Sequence, residues 1–270
     1  MYLAIDVGAT KTLLAVFDEA GQPRLKHKIA TQRDYEDFLA DIKQALNQEL
    51  AEYQLTAACV AVPGLLDDSR SHAIAFGNLP WQNIPIKQDL AALLPNVKLL
   101  IENDTKLAGL YEASRLETKY PKVLYLTIST GISAGLIVNG RIDPVLADSE
   151  PGQMLIEHDG QKKMWEDLAS GKALVARYGQ MASELEDEAS WKEYAALIAL
   201  GLNELLATLQ PDVVIIGGGV GAHLEKFQKF LEVELNKAKN PLVPIPPIVK
   251  ARRPEEAVIY GCYKYITQGS

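Results

Sequence analysis

One pattern constrains the fold of this 270-residue chain more than any other, and it occurs twice. A short apolar segment is followed by a turn rich in glycine and hydroxyl residues, and then by a second apolar segment. The turns are residues 6–12 and 129–135. After each unit, apolar segments alternate with amphipathic ones, which indicates a mostly parallel sheet covered by helices on both faces. The sequence therefore predicts an α/β protein of two related lobes with a cleft.

Local spacing predicts individual elements within this plan. Apolar side chains recur every four positions over residues 34–53, which predicts an amphipathic helix. The apolar run at residues 57–62 predicts a buried strand, and residues 255–270 are expected to form a terminal helix. Two segments that contain proline and glycine, residues 65–85 and 148–160, are predicted to be irregular.

The lobes are predicted to join near the middle of the chain. We expect residues 1–108, together with the terminal helix, to form a smaller N-terminal lobe. Residues 109–254 are expected to form a larger C-terminal lobe. A chain of this length can bury about three-quarters of its unfolded surface, so it needs neither disulfides nor a metal to fold.

Composition excludes several classes of protein. Lys and Arg number 27 against 35 Asp and Glu, a net charge of −8 that argues against a nucleic-acid partner. No apolar run reaches the roughly 18 residues that a membrane span requires, and the N-terminus lacks a signal-peptide pattern. Cys59 and Cys262 stand apart, without metal-ligand spacing. We therefore expect a cytoplasmic protein with no membrane partner.

The first turn carries groups that suit phosphate. Asp6 ends an apolar strand, Gly8 allows close approach of the backbone, Thr10 and Thr12 supply hydroxyls, and Lys11 supplies charge. Turns of this kind direct several backbone N–H groups at phosphate oxygens. An ordinary hairpin turn explains the same residues about equally well.

Two later loops suit a nucleotide in the same way. Thr130 and Gly131 lie in the turn over residues 129–135, where hydroxyls and glycines could hold terminal phosphates. Three glycines follow an apolar strand and leave room for a flat ring or for a phosphate: Gly217, Gly218 and Gly219. Taken alone, each loop also fits a tight structural turn.

Further polar residues are candidates for catalysis or for binding hydroxyls. Asp104 follows an apolar strand, where a carboxylate can accept a proton from a hydroxyl nucleophile, although Asn103 and Asp104 also suit a helix cap. Carboxylates and amides in irregular segments suit vicinal hydroxyls but are usually solvated surface residues. They are Glu150, Gln153, Glu166 and, more loosely, Asn78.

Taken in order, these motifs resemble the ROK family of sugar kinases, within the actin/Hsp70/hexokinase ATPase superfamily. Residues 6–12 are similar to the family's phosphate motif DxGxTK, and residues 129–135 to its second phosphate motif, GTGIGxG. Residues 217–219 are similar to its adenosine loop. Residues 102–104 match its END signature, whose Asp is the catalytic base.

Other parts of the chain resemble the family's sugar-binding segments. Residues 63–64 are similar to its early substrate-lobe loop, and residues 78–81 to its NLPxW segment. Residues 150–153 stand where the family has E-x-G-H, and Glu166 stands at its downstream sugar-binding glutamate. The resemblance therefore covers nearly the whole chain.

The resemblance implies a two-lobed actin/hexokinase-like, ribonuclease H-like ATPase fold with an interdomain cleft. It implies transfer of the terminal phosphate of ATP to a hexose hydroxyl, first of all the 6-hydroxyl of glucose, with Asp104 as general base. Mg²⁺ would be held through Asp6 and water. The implied nucleotide-binding residues are Asp6, Gly8, Thr10, Lys11, Thr12, Thr130, Gly131, Gly217, Gly218 and Gly219. The implied sugar-binding residues are Gly64, Asn78, Asn103, Asp104, Glu150, Gln153 and Glu166.

The chain departs from the family at two points. The zinc-binding segment CxCGxxGCxE is missing, and the family's zinc-binding histidine is Gln153 here, so zinc is predicted to be absent. The second phosphate loop opens with Ser129 instead of glycine. These departures leave open a kinase for fructose, N-acetylmannosamine or another hexose or N-acetylhexosamine, a polyphosphate-dependent glucokinase, and a catalytically degenerate sugar-binding or sensor protein. A homodimer is a further expectation, because family members are often dimers.

Overall fold

The computed structural model describes residues 1–146, 148–238, 240–253 and 256–269. The strands are β1 (Tyr2–Val7), β2 (Lys11–Phe17), β3 (Pro23–Ala30), β4 (Ala57–Val62), β5 (Gly64–Leu66), β6 (Ala73–Phe76), β7 (Gln82–Ile84), β8 (Lys98–Asn103), β9 (Lys122–Ile128), β10 (Ile132–Val138), β11 (Arg141–Ile142), β12 (Leu155–His158), β13 (Gln161–Met164), β14 (Val213–Gly217) and β15 (Ile248–Lys250). The helices are α1 (Tyr35–Gln48), α2 (Ile86–Leu93), α3 (Asp104–Ser114), α4 (Trp165–Ala169), α5 (Gly171–Tyr178), α6 (Glu188–Leu209), α7 (Gly218–Gly221), α8 (Leu224–Lys237) and α9 (Ala257–Thr267). Together they form an α/β protein, as predicted from the alternation of apolar and amphipathic segments.

The chain divides into two compact units. Unit 1 comprises Met1–Tyr111 and Glu256–Ser270, and unit 2 comprises Glu112–Glu255. Each unit has a hydrophobic core of its own. The C-terminal helix α9 belongs to unit 1, where it contacts β1 and β4.

Unit 1 is built on a five-stranded sheet in the order β3-β2-β1-β4-β8. The β1–β2 and β2–β3 pairs are antiparallel, and β4 runs parallel to both β1 and β8. All six residues of β4 are buried. Side chains of α1 and α2 pack in one core with alternate residues of β1, which explains the four-residue apolar period of α1. At Gly261, a Cβ would lie 2.0 Å from the Leu107 carbonyl oxygen, so glycine lets α9 approach α3.

Unit 2 repeats this arrangement with a sheet in the order β11-β10-β9-β14-β15. Here β9 and β10 form the antiparallel hairpin, and β14 runs parallel to β9 and to β15. The long helix α6 packs against α8 and α4. Gly201 lets α6 approach the Trp165 ring, because a Cβ there would lie 2.1 Å from a ring carbon. Each predicted strand–turn–strand segment is therefore a hairpin whose first strand also has a parallel neighbour.

Two segments that were predicted to be irregular contain regular secondary structure instead. Residues 65–85 contribute β5, β6 and β7 to a small antiparallel sheet, and residues 148–160 include a 3₁₀ turn at Pro151–Gln153 and the strand β12. The predictions were wrong because these strands are only three or four residues long and half of their residues are exposed. They therefore lack the apolar alternation that identifies a strand in a sequence.

The predicted helices are present with somewhat different bounds. Helix α1 begins at Tyr35, because the Asp34 side chain accepts hydrogen bonds from the backbone N–H groups of Glu36 and Asp37. It ends at Gln48, five residues before the predicted limit of 53. Helix α9 runs from Ala257, and residues 254–255 lie outside the described residues. In the part of the chain that the structure describes, no helix has both the length and the apolar character needed to cross a membrane.

Candidate active site

The first predicted phosphate loop is the turn between β1 and β2. The Gly8 N–H donates to the Lys11 carbonyl oxygen at 3.0 Å, and a Cβ on Gly8 would lie 2.7 Å from that oxygen. Any larger residue would therefore force the backbone of the turn to move. Thr10 and Lys11 are exposed at its tip. The turn thus keeps the tight geometry for which the glycine was singled out.

Thr12 does not have the role in this loop that the sequence predicted for its hydroxyl. Its side chain has no exposed surface, and its Oγ1 lies 2.8 Å from the Thr31 Oγ1. A second contact joins the same segments, because the Thr31 N–H donates to the Thr10 carbonyl oxygen at 3.1 Å. Thr12 therefore anchors the loop to the residue that directly follows β3, and it presents no hydroxyl at the surface. The prediction failed because the period-2 pattern of a strand does not reveal which of its hydroxyl residues point inward.

The END segment joins strand β8 to helix α3. The Asn103 Oδ1 accepts hydrogen bonds from the N–H groups of Thr105 (3.0 Å) and Lys106 (3.3 Å), so Asn103 forms the helix cap that was the competing interpretation. Its Nδ2 donates to the Gly64 carbonyl oxygen at 3.0 Å. Asn103 is only 3% exposed, and its contact with a sugar stays a prediction.

Gly64 needs to be glycine at this point. Its φ is +143°, and a Cβ would lie 2.1 Å from the Ala75 carbonyl oxygen. The glycine lets β5 pass close to β6 while its own carbonyl oxygen holds the Asn103 amide. The structure therefore brings together two of the predicted sugar-binding residues, Gly64 and Asn103, beside Asp104.

Asp104 is held by its own neighbour. Its Oδ1 accepts a hydrogen bond from the Thr105 N–H at 2.6 Å and lies 3.3 Å from the Thr105 Oγ1. Burial raises the pKa of Asp104 to about 6, against the lowering effect of the Thr105 hydrogen bonds and of the Lys106 charge. A carboxyl group with such a pKa can both accept and release a proton near neutral pH.

Asp6 lies near the carboxyl end of β1, in the same unit as Asp104. Burial and, to a smaller extent, the charge of Asp104 together raise its pKa to about 7. The two carboxylates therefore interact. Mg²⁺ is usually bound through one or two carboxylates together with phosphate oxygens and water, so this pair fits the metal that the family implies. Across the described residues, no group of three or more His, Cys, Asp and Glu side chains could hold a metal by itself.

In unit 2, the second predicted phosphate loop lies against the glycines that follow β14. This loop is also held by α5, because the N–H of its first residue, Gly171, donates to the Ser129 carbonyl oxygen at 2.6 Å. Gly218 has a φ of +80°, and a Cβ there would lie 2.5 Å from the Ile128 carbonyl oxygen. The end of β9 and the start of α7 thus meet backbone to backbone. Glycine is required there because no side chain fits between them.

A cavity of about 670 Å³ opens beside these loops within unit 2. Ser129, Thr130 and Gly219 line one part of it. Val175, Ala176, Met181 and Val220 give it apolar walls, and Lys172 and His223 add polar groups. Sequence reasoning missed the residues from α5 and from 181–183, because nothing in their local pattern distinguishes them from an ordinary helix and turn. The only indication of this cavity in the sequence was His223, which lies one helical turn after Gly219.

Three predicted sugar-binding residues also come together in unit 2. The Gln153 Nε2 donates to the Glu166 Oε1 at 2.7 Å, and the Glu166 Oε2 accepts from the Ile132 N–H at 3.4 Å. The Ser133 Oγ lies 3.5 Å from the Glu150 Oε2. A Cβ on Gly131 would lie 2.8 Å from the Glu166 Oε2. Carboxylates and amides thus gather directly beside the phosphate loop.

Asn78 lies in unit 1, exposed, between β6 and β7. Its segment is anchored by Trp81, whose Nε1 donates to the Arg33 carbonyl oxygen at 2.8 Å. The Trp81 ring packs against Phe38 and Phe76 in the core. The tryptophan of the NLPxW segment is therefore structural and fixes where Asn78 stands.

Comparison with known proteins assigns the chain to a family. It belongs to the ROK family, whose sequence profile matches residues 2–268. An N-acetyl-D-glucosamine kinase of Escherichia coli O6:H1 is 27% identical over 305 residues, covering 97% of each chain.

Solved structures agree with this assignment. A ROK family glucokinase from Streptomyces griseus, in complex with glucose and AMPPNP, aligns over 99% of both chains with a TM-score of 0.81 and 23% identity. A ROK hexokinase from Thermus thermophilus aligns over 99% of both chains with a TM-score of 0.76 and 24% identity. The fold is thus the actin/hexokinase-like fold of these kinases, and the predicted fold class is confirmed.

Proposed function

We propose that this protein is a sugar kinase that transfers the terminal phosphate of ATP to a hexose hydroxyl, with the 6-hydroxyl of glucose as the first candidate. Asp104 carries the proposal: a carboxyl with a pKa of about 6, fixed at the end of a strand by a capped turn. The names of the relatives support the substrate class, since they include an N-acetyl-D-glucosamine kinase and a glucokinase.

Asp104 would act as the general base. Phosphoryl transfer depends mainly on positioning and on charge stabilisation, and the protein supplies one base for the attacking hydroxyl. At neutral pH a carboxyl group with a pKa of about 6 is ionised in most molecules. It can therefore accept the hydroxyl proton as the bond to phosphorus forms. The Thr105 N–H would hold Oδ1, and the other oxygen would take the proton.

The phosphates would lie against the two glycine-containing turns. Backbone N–H groups near Gly8 and Thr10, and near Thr130 and Gly131, would donate to their oxygens. Lys11, exposed at the tip of the first turn, would add a positive charge. When bound, Mg²⁺ neutralises charge on the β- and γ-phosphates, and Asp6 is the residue that would hold it, through water.

The cavity in unit 2 favours a nucleotide over polyphosphate as the donor. Its walls of Val175, Ala176 and Met181 suit a purine ring, which is flat and largely apolar on its faces. A polyphosphate chain offers no group that gains from an apolar wall. The complex of the Streptomyces griseus glucokinase with AMPPNP supports the same donor. Gly217, Gly218 and Gly219 would bring the backbone close to the nucleoside.

The identity of the sugar would depend on the groups beside the second loop. Glu166 and Gln153 offer a carboxylate and an amide joined by one hydrogen bond, and Glu150 offers a second carboxylate. Such groups suit vicinal hydroxyls and equally suit an N-acetyl group. Gln153 stands where the family has histidine, so N-acetylglucosamine, N-acetylmannosamine and fructose are tested beside glucose.

The deciding experiment is an activity matrix of donors against sugars. ATP and polyphosphate are each combined with glucose, fructose, mannose, N-acetylglucosamine and N-acetylmannosamine, and sugar-dependent release of ADP or loss of polyphosphate is measured. We expect ATP with one hexose or N-acetylhexosamine to give turnover, and the Asp104→Asn variant to lose it. If no pair gives turnover while a sugar raises the melting temperature, the protein is a sugar-binding relative without catalysis.

A further inference from the structure

The turn between β5 and β6 holds an arginine in an unusual backbone conformation. Arg70 has a φ of +54°, a left-handed conformation that residues other than glycine seldom adopt. The Asp67 side chain stabilises the turn by accepting hydrogen bonds from the N–H groups of Ser71 (2.7 Å) and His72 (2.8 Å) and from the Ser69 hydroxyl (2.5 Å). Backbone conformations of this kind cluster at functional sites, since the surroundings must compensate for them.

The Arg70 side chain pairs with a buried carboxylate. Its Nε lies 3.5 Å from the Glu102 Oε2, with the two side chains only 19% and 4% exposed. An arginine at a hairpin turn is ordinarily solvated. A buried ion pair is expensive to desolvate, and removing one partner leaves an uncompensated charge. The Arg70–Glu102 contact therefore differs from an ordinary ion pair between exposed side chains on the surface.

Glu102 receives further donors from the elements around it. Its Oε1 accepts a hydrogen bond from the Asn103 N–H at 2.8 Å. From α9, Tyr265 is hydrogen-bonded to Glu102, and burial together with the charge of Glu102 raises the pKa of Tyr265 to about 12. The carboxylate thus ties the β5–β6 turn, helix α9 and the start of the END turn together.

We propose that Arg70 is a positioning residue for the phosphoryl transfer: it compensates the charge of Glu102, and Glu102 holds the backbone turn that carries Asn103 and Asp104. The inference rests on the proposed role of Asp104 as general base. Asn103 in turn caps α3 and binds the Gly64 carbonyl oxygen, so a shift of its N–H group would move Asp104. A displacement of about 1 Å in such a group can lower the rate by about 100-fold.

The test compares Arg70→Ala, Arg70→Lys, Glu102→Gln and the double variant Arg70→Ala/Glu102→Gln in the full chain, with ATP and the preferred sugar. We expect Arg70→Ala to lower kcat by about 10- to 100-fold with the sugar KM changed less than threefold. Arg70→Lys should recover part of the loss, because it restores the charge without the planar fork. In the Glu102→Gln background, the loss from Arg70→Ala should shrink to less than twofold, because the charge that Arg70 compensates is gone.

Arg24→Ala is the matched control, because Arg24 also pairs with a carboxylate of unit 1, Asp18, but is 55% exposed. It should keep the kcat of the wild type. If the kcat losses of Arg70→Ala and Glu102→Gln multiply, Arg70 does not act through Glu102 and the proposal is wrong. A loss confined to the sugar KM would overturn it as well, since Arg70 would then bind substrate directly.

Two further measurements keep the proposal separate from folding and from the proposed function. If Arg70→Ala cannot be purified, Arg70→Gln removes the charge and keeps most of the length, with the same expected kcat. If the wild type shows no turnover with any sugar, the proposed function fails. The wild type, Arg70→Ala, Glu102→Gln and the double variant then test the coupling by thermal unfolding. Additive changes in melting temperature would contradict the Arg70–Glu102 link.

Discussion

Replacing Asp104 by asparagine separates the chemistry of this residue from its place in the fold. Asparagine keeps an oxygen that can accept the hydrogen bond from the Thr105 N–H, which is 2.6 Å long in the wild type. It cannot accept a proton from a hydroxyl. We therefore expect Asp104→Asn to lower kcat by about 10²- to 10⁴-fold, the usual contribution of a general base, and to leave sugar and nucleotide binding close to wild type.

The same change should stabilise the protein, by an amount that depends on pH. The pKa of Asp104 is about 6 in the folded chain and 3.8 in an unperturbed aspartate. This difference of about 2 units corresponds to roughly 3 kcal/mol. Below about pH 3, well under the unperturbed pKa of 3.8, the carboxyl is protonated in both states and costs nothing. As the pH rises to 6 the unfolded chain ionises first, so the folded state loses stability relative to it.

Above pH 6, Asp104→Asn should thus be more stable than the wild type by up to about 3 kcal/mol, and by less where water reaches the half-buried carboxyl. Near pH 3 the two should be about equal, because the carboxyl is then protonated in both the folded and the unfolded chain. Thermal unfolding at about pH 3 and pH 8, with a coupled ADP assay at pH 8, measures both effects. A kcat within tenfold of wild type would refute the role as base. Equal stability at pH 8 would refute the burial of an ionised carboxyl.

Three further predictions concern the rest of the site. The logarithm of kcat/KM should rise with unit slope up to about pH 6 and then level off, because Asp104 must be ionised to act as a base. A kcat/KM that stays constant from about pH 5 to 8 would contradict this. Gly8→Ala should lower the free energy of unfolding by about 1–3 kcal/mol and raise the KM for ATP, because the new Cβ would lie 2.7 Å from the Lys11 carbonyl oxygen. Thermal unfolding and initial rates measure this, with Gly77→Ala as the comparison for crowding, because no atom lies within 4 Å of a Cβ there. Val175→Trp should fill part of the cavity of about 670 Å³ and weaken ATP binding at least tenfold in calorimetry while the sugar affinity is unchanged; unchanged ATP affinity would mean that the nucleoside binds elsewhere.

Local pattern was informative where an element is long or strongly apolar. Helix α1 and strand β4 follow from the period and the run of their apolar residues. Glycine was informative in a different way, because Gly8 and Gly218 stand where a Cβ would collide with the backbone. Gly8 would collide within its own turn, which its place in the sequence indicated. Gly218 would collide with the Ile128 carbonyl oxygen, which only the folded chain brings close.

Pattern failed where elements are short or where a hydroxyl can face either way. The sheet of β5, β6 and β7 was missed because its strands alternate neither in burial nor in polarity. Thr12 was expected to face phosphate, yet the strand directs it inward to Thr31. His223 and Met181 line the cavity through the packing of helices that no local rule connects.

The sequence by itself determined the class of fold and the kind of chemistry. Hairpins followed by alternating strands and helices can bury their apolar residues in only a few ways, and the order of the motifs identified the family. Tertiary structure alone decided which polar groups meet. Gln153 joins Glu166, and Arg70 reaches Glu102 across 32 positions. It also decided the ionisation of Asp6 and Asp104, because pKa values near neutrality come from burial and from neighbouring charge, and neither exists until the chain has folded.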